Sequence, residues 1–139
     1  MIAPAELATL PLFASLGPDE LAYLARTVPD IHVSRGDYVV HEGEGRALII
    51  VVAGKLEVTK VIDGIERVIA NRLPGTLFGE VPIVLNSPFL ASLRAVEPSR
   101  VIRIEPKVFH TVAATAPAVA AMVGAAALSR IGGLQDLAR

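Results

Sequence analysis

The sequence predicts a mainly β domain, a β-sandwich of jelly-roll type with helices at its N- and C-terminal ends. Three observations carry that prediction. Between residues 30 and 105, short β-branched runs are punctuated by glycines at 36, 43, 45, 54, 64, 75 and 79, the rhythm of brief strands and turns rather than of strand–helix–strand units. On both flanks the apolar residues recur at helical spacing instead. Apolar residues fill 53% of the 139 positions and aromatic ones only 4%, so a single core of Val, Leu, Ile and Ala is implied, large enough to bury roughly two thirds of the surface of the unfolded chain.

Helices are expected over residues 4–26. Pro4 to Leu10 forms a short one, Leu12-Phe13 packs into the core, and Gly17-Pro18-Asp19-Glu20 opens another with Leu21, Leu24 and Ala25 on one side. The jelly roll then occupies residues 30–105. Its strands are predicted at Ile31–Val33, Tyr38–His41, Ala47–Val52, Lys55–Ile62, Arg67–Leu73, Leu90–Val96 and Val101–Ile104. Asp63-Gly64 joins the fourth and fifth as a hairpin, because both central positions of a type I′ turn need positive φ. Helices return over residues 106–131. Pro106 opens a turn before Val108–Ala113, and Pro117 starts a longer helix that runs through Ile131 and is ended by Gly132-Gly133. Val119, Met122, Val123, Ala126 and Ala127 form its apolar stripe, which either packs on the sandwich or pairs two chains as a homodimer through helix 117–131.

Charge and composition exclude several classes. Thirteen basic against fourteen acidic residues leave a net charge of −1, far from the positive face that nucleic acid requires. Cysteine is absent, which removes disulfides, thiolate metal sites and dithiol chemistry and fits a reducing cytoplasm. The N-terminus has no basic cluster followed by an apolar run, so it reads as mature rather than as a secretory signal. Ala113–Leu128 is too short for a membrane span and is interrupted by Thr115, Pro117 and Gly124. His32, His41 and His110 lack metal-ligand spacing. No nucleophile–base arrangement and no GxGxxG is present, so the domain reads as non-catalytic, with no metal and no cofactor of its own.

The order of blocks resembles a known family. Arg35-Gly36-Asp37, Glu42-Gly43-Glu44, Val52-Ala53-Gly54-Lys55-Leu56 and Pro74-Gly75-Thr76-Leu77-Phe78-Gly79-Glu80 look like the successive signatures of the cyclic-nucleotide-binding domain of the catabolite activator type, over about residues 10 to 131. That resemblance implies that Phe78-Gly79-Glu80 begins a short helix whose N-terminus attracts the cyclic phosphate. It also implies that Gly79 permits close approach and that Glu80 accepts from the ribose 2′-hydroxyl; without a ligand, the same three residues simply make a tight strand-to-helix turn. The family's second block usually reads Pro-Arg-x-Ala-Thr-Val-x-Ala, whereas here it reads Pro88-Phe89-Leu90-Ala91-Ser92-Leu93-Arg94-Ala95. Phe89 therefore stands where the resemblance puts the phosphate arginine, and a phenyl ring offers phosphate no donor. Pro82 replaces a small residue whose N–H would also hold the phosphate.

The ligand pocket implied by the resemblance comprises Phe78, Gly79, Glu80, Val81, Pro82, Phe89, Leu90, Ala91 and Ser92. Losing a charged hydrogen bond of ~1.5–3 kcal/mol and a second donor of ~1 kcal/mol weakens binding on the order of a hundredfold. The expectation is thus a degenerate member that does not bind cyclic AMP or cyclic GMP in the usual way, its pocket self-filled by Phe89 and Leu90 or suited to an apolar small-molecule ligand. Ser92 either offers that ligand a hydroxyl or satisfies a neighbouring backbone group. The alternative is a working sensor that recruits another cation for the phosphate, from Arg46, Arg72 or Arg94. Odd spacing from Phe89 sets Arg94 on the opposite face of its strand.

Only a short stretch follows Ile131, too little for the helix-turn-helix of a transcription factor in that family. Gly79-Glu80-Val81-Pro82, Ser87-Pro88-Phe89-Leu90-Ala91-Ser92 and Arg130-Ile131-Gly132-Gly133-Leu134-Gln135 resemble instead the degenerate domains found N-terminal to thioredoxin-reductase-like flavoproteins. This resemblance implies that residues 1–139 are a regulatory fragment of a longer protein, in intramolecular contact with a C-terminal catalytic domain. FAD and NADPH would belong to that domain and lie beyond Arg139.

Overall fold

The computed structural model describes the backbone of residues 1–137 and the side chains of residues 1–132. Helix α1 (Pro4–Leu7), a 3-10 turn at Pro11–Phe13 and helix α2 (Pro18–Thr27) lead into strands β1 (Asp30–Val33), β2 (Tyr38–Val40), β3 (Leu48–Ala53), β4 (Leu56–Ile62) and β5 (Ile65–Arg72). Strand β6 (Leu77–Phe78), helix α3 (Glu80–Leu85), strands β7 (Ser92–Ala95) and β8 (Ser99–Ile104), and helices α4 (Pro106–Thr115) and α5 (Pro117–Leu137) complete the chain. Proline opens α1, α2, α4 and α5, where its missing N–H costs no intrahelical bond.

The strands form two antiparallel sheets, β1-β8-β3-β6 and β2-β7-β4-β5, the jelly roll that the sequence predicts. Strand β3 shows why a continuous apolar run was needed. Leu48 and Ile50 pack with Leu7, Phe13, Leu24, Ile102, Phe109 and Val119 into the core beneath the helices, whereas Ile49 and Val51 join Val40, Leu56, Leu93 and Val101 between the sheets. With both faces covered, alternation disappears from the sequence. The β4–β5 hairpin turns at Asp63 and Gly64, both at positive φ (54° and 78°), and its register steps past Ile69 between the pairs Val58↔Ala70 and Thr59↔Val68. The bulge leaves Ile69 without a partner across the hairpin.

Most strand boundaries shift by one or two residues from the sequence reading, and four differences go further. Helix α1 stops at Leu7, three residues before Leu10. A two-residue strand, β6, is added where the turn-rich block 74–80 gives no run long enough to register as one. Strand β7 begins at Ser92, not Leu90, because residues 87–91 form a loop tied to the 43–45 turn by Phe89 N–H bonds to Glu44 O and Gly45 O. Helix α5 does not end at Gly132-Gly133 but runs through them to Leu137. Glycine stops a helix only by taking the left-handed conformation at its end, and in a helical interior each costs no more than about 1 kcal/mol relative to alanine.

Candidate ligand cavity

Gly79 places the site. At φ 91° it turns the chain from β6 into α3, and a Cβ there would lie 2.3 Å from Ala47 O, so only glycine permits this approach. The turn sets the start of α3 opposite the β4–β5 hairpin, and α5 packs on α3. Between them is a cavity of about 230 Å³. Its walls are Val58, Ile69 and Ala70 of the hairpin, Phe78, Gly79, Val81 and Pro82 around the start of α3, and Leu90 and Ala91 of the loop before β7; Lys60, Arg72, Glu80, Ser129 and Arg130 supply the polar groups.

Seven of the nine residues assigned to the pocket from sequence line it: Phe78, Gly79, Glu80, Val81, Pro82, Leu90 and Ala91. Phe89 and Ser92 do not. Phe89 is 2% exposed within the inter-sheet core, its ring stacked on Phe78 at 5.8 Å between centroids, so it underlies the cassette instead of filling the cavity as expected. Leu90 alone of that pair lines the cavity. The Ser92 hydroxyl accepts from the Glu42 N–H at 2.8 Å, which is the backbone role rather than the ligand role.

The cations divide similarly. Arg94 lies on the outer face of its sheet, donating to Glu57, to Tyr38 Oη and to Glu66 Oε1; the hydrogen bond to Glu57 raises its pKa above the ordinary arginine value. Arg46 is not among the lining residues. Arg72 is, and it is 6% exposed. Its Nε donates to Leu77 O at 2.7 Å and its Nη1 to Asn71 O at 3.0 Å. Burial, with the Arg130 charge adding to it, pushes Arg72 below its ordinary value, though a guanidinium stays charged throughout the accessible range.

Two further cations come from positions that motif spacing does not single out. Lys60 Nζ donates to Leu90 O at 2.6 Å and to Glu42 Oε2 at 3.1 Å. Arg130 Nε reaches Glu80 Oε1 at 3.2 Å from the far side of the cavity, whereas the buried Glu80 Oε2 has no partner among the described residues. The available signal for Arg130 was its setting: it is the first charged residue after Lys107 in a long uncharged stretch. The histidines stay apart from the cavity, His32 near Asp30, His41 stacked on Tyr38 and His110 against Phe109.

The arrangement can enclose a compact, largely apolar molecule with polar groups at its ends. The family model of the cyclic nucleotide-binding domain matches residues 30–116. The cAMP-dependent protein kinase regulatory subunit of Mycosarcoma maydis is 34% identical over 90 residues, covering 64% of this chain and 17% of that protein, so the chain spans under a fifth of this relative's length. The Thermus thermophilus catabolite activator protein superimposes with a TM-score of 0.74 at 29% identity, over 91% of this chain and 60% of that one. The sensor domain of the transcriptional regulator DNR from Pseudomonas aeruginosa shares the fold, with a TM-score of 0.79 at 22% identity over 95% and 90% of the two chains. By the family match, together with the jelly roll and the cassette it contains, this chain belongs to the cyclic nucleotide-binding domain family.

Proposed function

We propose that the chain is a non-catalytic regulatory module whose cavity does not hold cyclic AMP or cyclic GMP through the phosphate grip usual in its family. One observation carries this reading: at the place of the phosphate arginine stands Phe89, its ring buried against Phe78 and the start of α3. A ring in that position offers neither charge nor donor. Pro82, in the first turn of α3, removes a backbone donor from the same helix end. Calorimetric titration of the wild-type domain with each nucleotide tests it directly. No binding in the micromolar range is expected; a micromolar Kd for either would refute it.

A second reading has its own support. Arg72 and Arg130 both line the cavity, so a sensor that holds a small ligand through a non-standard cation remains chemically equipped here. As context, we propose a cytoplasmic protein in which this domain precedes a thioredoxin-reductase-like flavoprotein that carries FAD and NADPH. The support is the resemblance of the stretches at 79–82, 87–92 and 130–135. An encoded reading frame that stops at Arg139 would remove this context. Met122 and Leu128, exposed on α5 at 42% and 71%, support self-association through this helix, and a monomer by light scattering at high concentration would refute that.

A further inference from the structure

The charges around the cavity do not cancel. Lys60 is matched by Glu42 and Arg130 by Glu80. Arg72 has no carboxylate within ion-pair distance among the described residues, and backbone carbonyls engage two of its five N–H donors. As a residue Arg72 is nonetheless only 6% exposed. Buried charges are ordinarily paired, because desolvation without a counter-ion is costly. The Glu80 charge favours charged Arg72 only from beyond ion-pair distance, which leaves the cavity that Arg72 lines as the place for a closer anion.

Size and walls narrow the class. At about 230 Å³ the cavity lies just under the roughly 300–1,000 Å³ typical of drug-sized ligands, so the molecule is compact. Val58, Ile69, Phe78 and Leu90 demand an apolar body. One unmatched cation calls for one negative charge, and the planar fork of a guanidinium fits a carboxylate edge-on. A phosphate would need donors beyond this fork, and the nearby start of α3 is short of one at Pro82.

We infer that the cavity is a binding site for a compact organic carboxylate, with its headgroup on Arg72 and its apolar body along the β4–β5 hairpin and Leu90. This rests on the reading that phosphate recognition at α3 is lost, and moves the anion contact from the cassette to the end of β5. Glu80 Oε2, buried without a partner among the described residues, would in addition accept from a hydroxyl or amino group on such a ligand.

The test compares hexanoate with hexan-1-ol, which share an apolar chain and differ in charge, by calorimetry on the wild-type domain and on Arg72→Gln and Arg72→Lys. Hexanoate should bind the wild type at least about tenfold more tightly than the alcohol. Arg72→Gln should erase that advantage, and Arg72→Lys should keep part of it. Thermal melts of each variant establish that the protein is folded, and hexanoate should raise the melting temperature of the wild type and the lysine variant but not of the glutamine variant. Equal affinities for acid and alcohol, no hexanoate binding at millimolar concentration, or hexanoate binding unchanged in a folded Arg72→Gln would overturn the inference. Cyclic AMP titrated in parallel reads the earlier proposal separately: micromolar binding refutes the lost phosphate grip whatever hexanoate does, and failure of hexanoate alone refutes only the carboxylate site.

Discussion

Phe89 does structural work that no ligand contact requires. Its ring is 2% exposed and stacked on Phe78, and truncation would leave a void between the sheets. Phe89→Ala should therefore lower stability by about 3–5 kcal/mol in urea denaturation; a loss under about 1 kcal/mol would show that the ring is not packed as described. Phe89→Arg places a guanidinium in the same apolar cluster and should also destabilise, so restored nucleotide binding in that variant is informative only when its fold is verified. At Gly79, a methyl group meets Ala47 O at 2.3 Å with φ at 91°, and Gly79→Ala should cost at least about 2 kcal/mol by the same measurement. Sequence made both residues visible without showing which way each faces. The pattern of Pro88, Ala91 and Ala95 located Phe89, but its direction was illegible because strand parity starts only at Ser92. Gly79 was read as letting the backbone come close to a ligand; it lines the cavity, and the contact that excludes a side chain there is with Ala47 O.

Among the elements, the edge strand β1 is paired with β8 from Asp30 to Val33 and is clasped by side chains as well. Arg100 of β8 donates from Nε and Nη2 to the two carboxylate oxygens of Asp30, at 2.7 and 2.8 Å, and from Nη1 to Glu6 of α1. This joins helix α1 to the sheet through a carboxylate only 5% exposed. The Arg100 hydrogen bonds hold Asp30 below its ordinary value of 3.8, so the folded state takes up its proton less readily than the unfolded chain. That contribution is complete above the unfolded pKa and is lost as pH falls through the lower folded one. Asp30→Asn should cost about 2 kcal/mol at neutral pH, with the gap to wild type closing as the solution is acidified below 3.8. A gap constant down to acid pH would contradict the clasp. The last helix yields a prediction of the opposite sign. Gly132 lies inside α5 with nothing within 4 Å of an added Cβ, so Gly132→Ala should stabilise by about 0.5–1 kcal/mol. Its paired glycines were read as a stop because sequence shows the residue type and not its φ.

For the whole molecule, two cores sharing strand β3 explain why the architecture was legible from one sequence. Short β-branched runs, prolines at helix starts and the Asp63-Gly64 turn each act locally and agree with one another, so the sandwich and its flanking helices follow from them. The cavity is different, since it is assembled from segments distant in sequence. Arg72 and Arg130 meet around Glu80 only because the bulged hairpin and α5 converge on the start of α3, and no spacing within a segment encodes that. What the assembled site holds is the central question. Isothermal titration of the wild-type domain with cyclic AMP and cyclic GMP answers it most directly: the buried Phe89 ring and Pro82 predict no micromolar binding of either, and a micromolar Kd for one of them would contradict the account.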